Sequence, residues 1–210
     1  TLFKLSLITL SLAGLSQAYA GGFELWEETG VGTGDYHAGA AAEGDDGSLE
    51  YYNAAQVTDL KRQQLSVGGV IIPMSVKFNG TVGDVFPQSA PGKSDLTNFV
   101  PNFHYVLPLP HKLFFTLGVT APFGLETNYK KSSSTSVITQ AAAKTKLLTI
   151  NINPSIAYKV TSWMSLAAGF DVMYGSADYT NTVAGNGLFS NDLNGWGFGY
   201  NLGTWFKFHL

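Results

Sequence analysis

The side chains able to do chemistry are few and scattered. The four histidines, His37, His104, His111 and His209, have no spacing that would put two on one face with a carboxylate, so no metal site is expected. No Gly-x-Ser-x-Gly elbow occurs, and no catalytic residue or cofactor is assigned. Gly30-Val31-Gly32-Thr33-Gly34 has the glycines of a phosphate loop without its Lys-Ser/Thr ending or a flanking βαβ pattern. His104 falls on the inward register of a strand, where a hydrogen-bonding side chain facing a lumen is the expected role. An enzymatic role would need a serine and an acid brought to it in space. Lys130, Lys131, Lys144 and Lys146 share one polar stretch, where solvated loop charge is the default and contact with anionic lipopolysaccharide the sharper alternative.

The elements that would carry these residues are strands. From Trp196 to Phe208 the even positions are Trp, Phe, Tyr, Leu, Thr, Phe and Phe, while the odd ones are Gly, Gly, Asn, Gly, Trp and Lys. Such period-2 alternation recurs, and strands are expected at 65–78, 98–107, 113–125, 147–160, 164–177 and 195–209. The connections 79–97, 126–146 and 178–194 are long and polar, whereas 108–112 and 161–163 are tight. Long loops on one side and short turns on the other are the asymmetry of outer-membrane barrels. Asp171 and Lys207 fall on the polar face. Tyr174 and Trp196 at one end, and Tyr158, Phe206 and Phe208 at the other, are placed for two aromatic girdles. The Gly68-Gly69 pair breaks the pattern between Leu65/Val67 and Val70/Ile72/Met74/Val76, and a bulge is expected there.

Composition agrees. The formal charge of -3 with 13% charged residues supplies no basic field for nucleic acid, and zero cysteines exclude disulfide scaffolds and thiolate sites. Away from the N-terminus no apolar run approaches the roughly 20 residues of a membrane helix, so the chain would cross a membrane with strands. Lys4, the apolar stretch 5–15 and Ala18-Tyr19-Ala20 read as a signal peptide over 1–20, with export starting at Gly21. Residues 21–62, rich in Gly and Ala, are expected as loops and short helices, and 63–210 as barrel strands. Six strands cannot close, since about eight make the smallest filled barrel, so this is expected to be the front part of a longer protein.

Four stretches together resemble the FadL/TodX family of outer-membrane transporters for long-chain fatty acids and other hydrophobic compounds. They are Gly21-Gly22-Phe23-Glu24-Leu25-Trp26-Glu27; Asp45-Asp46-Gly47 ahead of Tyr52-Asn53-Ala54-Ala55; Val100-Pro101-Asn102-Phe103-His104-Tyr105; and 194–201, Asn-Gly-Trp-Gly-Phe-Gly-Tyr-Asn. The resemblance implies an all-β, antiparallel transmembrane β-barrel of 14 strands, about six present here, with an N-terminal hatch (residues 21–62) inside the lumen. It implies Phe23 and Leu25 near the ligand and Asn53, Ala54 and Ala55 in a constriction, with Ala54 departing from the family's Pro. The family's inward-kinked third strand matches Ala121, Pro122, Phe123, Gly124 and Leu125. Here Pro122 has no N–H for the ladder and Gly124 no side chain to fill the wall. The implied activity is ligand-gated passive diffusion of a hydrophobic compound, a long-chain fatty acid foremost, by a monomer in the bacterial outer membrane among its lipid and lipopolysaccharide. Two readings stand beside it: a porin or structural barrel of another family, and an outer-membrane lipase or esterase. Uptake without hydrolysis, diffusion of small hydrophilic solutes, and release of free acid from an ester would tell the three apart.

Overall fold

The computed structural model describes residues 24–82, 88–89, 91–129, 143–183 and 187–207; the expected signal segment and Phe23 lie outside them, as do Lys130, Lys131 and His209. The chain begins with a short helix α1 (Gly30–Gly34) and two 3-10 helices, η1 (Gly47–Tyr51) and η2 (Ala54–Asp59). The strands follow as β1 (Gln64–Phe78), β2 (Thr81–Val82), β3 (Gln88–Ser89), β4 (Gly92–Leu109), β5 (Leu113–Thr120), β6 (Gly124–Asn128), β7 (Lys144–Lys159), β8 (Met164–Val183) and β9 (Gly187–Phe206). Apart from the small β2–β3 hairpin they form one antiparallel meander, β1-β4-β5-β7-β8-β9, with β6 continuing the path of β5 along β7. The edges β1 and β9 are not paired with each other among the described residues, so the sheet is an open part of a barrel wall.

The faces separate as the alternation requires. On β9 Phe198, Tyr200 and Leu202 are 71–82% exposed, while the intervening Asn201 and Trp205 turn toward the concave side. On β7 Ile150, Ile152, Ile156 and Tyr158 point out, and Thr149, Asn151, Ser155 and Ala157 are buried inside. An outward apolar surface this continuous is stable against lipid and not against water. Tyr174 and Trp196 are cross-strand partners with ring centroids 5.0 Å apart, and Trp163 stacks on Phe206 at the opposite end. Ten residues of strand tilted by about 40° separate Trp196 from Phe206, roughly 25 Å, the height of an outer-membrane apolar band.

Three sequence expectations are corrected. The β1–β4 ladder runs without interruption from Gln64↔Val106 to Phe78↔Gly92, so no bulge occurs at Gly68-Gly69. Val70, Ile72, Met74 and Val76 lie on the inward register throughout; the inner face itself turns apolar there, which mimics a change of register. The connection 178–194 is mostly strand, since β8 and β9 stay paired from Met164↔Phe206 to Val183↔Gly187. Once both faces of a hairpin meet water, nothing selects an apolar side, and the ladder continues without its hydrophobic signature. Likewise β4 starts at Gly92 rather than at 98.

The N-terminal segment covers the concave side. Ala54, Ala55, Val57 and Leu60 pack against Val106, Phe114, Ala157, Ala167 and Trp205 in the main buried cluster. Buried Gln56 ties the segment together, donating to the Ala40 and Leu49 carbonyls (2.8 and 2.7 Å) and accepting from Gly44 N–H (3.0 Å). Asp59 at the end of η2 bonds both Lys159 of β7 and Lys207 beyond β9, the latter at 2.5 Å. Burial raises the Asp59 carboxyl, but its two lysine partners outweigh this and hold it below the usual carboxylate range.

The face assignment predicts that Leu202→Lys, a charge on the lipid side, impairs assembly by up to about 2–4 kcal/mol, whereas Leu202→Ile does not. Heat-modifiable gel migration of the full-length protein measures the folded fraction. Equal assembly of the lysine variant and the parent would reverse the faces.

Candidate functional site

The expected third strand is two strands around a break. Thr120 of β5 faces Asn151 of β7, and Gly124 of β6 faces Leu148, so Ala121, Pro122 and Phe123 span a place where β7 has only Thr149 and Ile150. That extra residue flips the side-chain parity: even positions face inward on β5, odd positions on β6. The neighbouring strand loses its partner at the same height. β4 pairs β5 only from Phe103↔Val119 downward, and β4·β6 backbone pairing is absent among the described residues. At the far end of β6 a hydrogen bond crosses to β4, from Asn128 N–H to Ser94 Oγ (2.8 Å).

The backbone groups freed at the break find other partners. Phe123 N–H donates to Thr149 Oγ1 (2.9 Å), and the Phe123 carbonyl accepts from Thr149 N–H (3.0 Å). The rest come from the N-terminal segment. Leu25 N–H donates to the Pro122 carbonyl (2.8 Å), Glu24 and Phe123 form an antiparallel bridge, and Ala121 N–H donates to Glu28 Oε2 (3.2 Å). Pro122 itself needs no acceptor.

Two cavities meet at this point. One, about 310 Å³, is lined by Leu25, by Ile72, Met74 and Val100 from the inward register of β1 and β4, and by Phe123, Leu125 and Leu147. Phe99 and Pro101, on the outward register of β4, line it too, so its lining draws on both registers of that strand. The other, about 500 Å³, opens on the concave side and is the more polar of the two, with Glu24, Asn53, Asn151, Asn153, Asp171 and Asn201 in its lining. Phe123 lines both. In the polar cavity Asp171 accepts from Asn151 and Asn153 on one oxygen (2.9 and 2.7 Å) and from Asn201 on the other (3.0 Å).

Of the residues singled out from sequence, Leu25, Ala121, Phe123, Gly124 and Leu125 converge on the apolar cavity, and Pro122 lines the polar one. Asn53 and Ala54 also touch the polar cavity, while Ala55 is fully buried in the cluster beneath it. Asn53 caps η2 through Ala55 N–H (3.1 Å) and donates to the Ala41 and Thr204 carbonyls. Ala54 then occupies the first helical position, where the family's Pro would give up no hydrogen bond, so Ala fits the same backbone. Gly203 lets Asn53 approach: a Cβ there would lie 2.5 Å from Asn53 Oδ1.

Sequence reasoning placed His104 inward and missed its partners. His104 is buried, with Nε2 donating to the Glu28 carbonyl and Nδ1 facing Glu50 Oε1, both at 2.9 Å. Both ring nitrogens therefore face oxygen atoms, which fixes the orientation of the ring. Thr116 donates to Glu50 Oε2 (3.2 Å), and a Cβ on Gly118 would lie 2.4 Å from Glu50 Oε1. The available signal was Gly118 itself, a lone glycine on the inward register of a wall strand.

Asn53→Ala is expected to weaken docking of η2 by about 1–3 kcal/mol, the sum of a lost cap and two side-chain bonds, without unfolding the wall. Limited proteolysis within 41–60, beside unchanged heat-modifiable migration, tests it; unchanged proteolysis would show that the apolar cluster alone holds η2.

The comparisons agree with this geometry. The family described as outer membrane protein transport protein (OMPP1/FadL/TodX) matches residues 11–209. A long-chain fatty acid transport protein of Escherichia coli O6:H1 is 34% identical over 84% of this chain and 39% of its own length, and outer membrane protein P1 of Haemophilus influenzae is 28% identical over 97% and 54%. The chain thus spans about half the length, or less, of these curated relatives. A Pseudomonas aeruginosa FadL homologue superposes with a TM-score of 0.75 at 18% identity, over 90% of this chain and 50% of that one. The Ralstonia pickettii toluene transporter TbuX gives 0.56 at 17% identity, over 80% and 50%. An open antiparallel wall, a covered concave face and a family match along nearly the whole chain lead to one conclusion: the chain belongs to the OMPP1/FadL/TodX family of outer-membrane transport proteins, which are transporters and not enzymes.

Proposed function

We propose that the protein carries hydrophobic compounds, long-chain fatty acids foremost, across the outer membrane by ligand-gated passive diffusion, with residues 21–62 as the hatch of a 14-stranded barrel whose first six strands lie in residues 63–210. The supporting observation is the apolar cavity, lined by residues of both registers of β4, beside the break at Ala121–Phe123. An acyl chain there would be in contact with apolar side chains from lumen to lipid, and would leave sideways rather than cross the polar lumen below. Ala121, Pro122, Phe123, Gly124 and Leu125 form the lateral opening. Leu25 stands at the inner mouth, Phe23 would contact the ligand as the family resemblance implies, and Asn53 to Ala55 form the constriction beneath. The monomer would sit among outer-membrane lipid and lipopolysaccharide, with Lys144 and Lys146 near the lipopolysaccharide headgroups. The relatives named as long-chain fatty acid transport proteins support the choice of ligand.

The register at the break provides the test. Deleting Pro122 removes the extra residue, so β5 and β6 can pair with β7 in one register and one side-chain parity. In the full-length protein this variant is expected to keep binding of a labelled long-chain fatty acid while losing uptake. Uptake at the parental rate, in a variant whose continuous pairing is verified structurally, would overturn lateral exit.

A further inference from the structure

Glu28 stands apart from the rest of the N-terminal segment. Its side chain is buried against the wall, one carboxyl oxygen holds the Ala121 N–H at 3.2 Å, and the other, Oε1, is buried without a partner. Its own carbonyl is held by His104, which in turn holds Glu50, so one residue joins the break in the wall to a buried acid–imidazole pair. No ladder strand supplies the acceptor that Ala121 N–H requires; a side chain of the hatch does. A neutral carboxyl keeps an acceptor for Ala121 N–H and suits this buried site better than a charge with an orphan oxygen.

We propose that Glu28 is a proton-operated latch that fastens the N-terminal segment of the hatch to the broken strand and releases it on ionisation. The inference rests on the reading of the hatch as the gate. Burial pushes the Glu28 carboxyl up from its ordinary 4.5 to about 7, against the lowering effect of the Ala121 bond and of His104. The groups that act on it are His104 of β4, the Thr120 hydroxyl at the end of β5 and Glu27 on its own segment, with the phenols of Tyr51 and Tyr52 also within its field; Glu50 lies behind His104, and Glu24 acts on Tyr51. Among these the nearby acids oppose a further negative charge, and His104 is already engaged by Glu50.

The sign follows from linkage. The docked carboxyl has the higher pKa, so docking is strongest below pH 4.5, weakens as the released form ionises, and is weakest above about pH 7. Across that interval the docked-to-released ratio falls on the order of a hundredfold.

The test uses the full-length protein carrying a single spin label at Trp26→Cys, an exposed site on the same segment; any cysteine outside this cysteine-free stretch is replaced. The mobile fraction of the label is expected to rise between pH 4.5 and 7 and then level off. In Glu28→Gln, which keeps the shape and the acceptor but cannot ionise, it should stay at the low-pH value, with heat-modifiable migration confirming a folded barrel. Uptake of a labelled long-chain alcohol, which does not titrate, is followed in parallel. A mobile fraction that ignores pH in the parent, or that changes equally in Glu28→Gln, overturns the latch. A pH-dependent label with uptake that does not follow it supports the latch and overturns the hatch as the gate.

Discussion

Inside a bilayer a barrel wall has no water to complete its backbone hydrogen bonds, so every N–H and C=O that leaves the ladder must find a protein partner. This constraint organises the structure around Ala121–Phe123. The wall gives up strand pairing there, and the N–H groups of the break are taken by Thr149 and Glu28, while the Pro122 carbonyl is taken by Leu25. Opening a hole in the wall and placing a polypeptide inside it are thus a single structural solution. Without the N-terminal segment the break would leave buried polar groups unpaired, each costing about 1–3 kcal/mol.

The segment is held unevenly. Its lower part, η2, is embedded in the apolar cluster, capped by Asn53 and clasped by Asp59 between two lysines, and Thr58 meets Ser165 at 2.6 Å. Its upper part, Glu24 to Glu28, depends on a few hydrogen bonds around an unfilled cavity. Contacts that are few and polar open at lower cost than a packed cluster. The half in the apolar cluster is thus the more firmly held, and the half beside the wall break is joined to the wall mainly through hydrogen bonds.

The apolar inner face of β1 has the same origin. A wall strand that faces only water inside alternates apolar and polar residues, as β7, β8 and β9 do. β1 places Val70, Ile72, Met74 and Val76 on its inner side, where Ile72 and Met74 line the apolar cavity at the break, while Leu65, Val67 and Ile71 stand exposed on the outer side. Two apolar faces on one strand cancel the alternation.

Alternation by itself determined the wall. Trp196 to Phe206 could satisfy lipid on one side and small or polar surroundings on the other in only one register, because the side-chain period is two and a shift by one residue exchanges the faces. The tight turns, the inward Asp171 and Lys207 and the weakened pairing near Pro122 and Gly124 were legible for the same local reasons. Tertiary structure alone decided what fills the break. Glu28, Glu50, His104 and Gly118 are far apart in the chain, carry no shared spacing and look like ordinary surface or strand residues one at a time. Their meaning arises when the N-terminal segment folds back onto strands some 75–95 residues later, as the separations of the Glu28–His104 and Glu28–Ala121 contacts show. Local pattern reports which face a side chain takes, but a buried hydrogen-bond network is a property of elements brought together from distant parts of the chain.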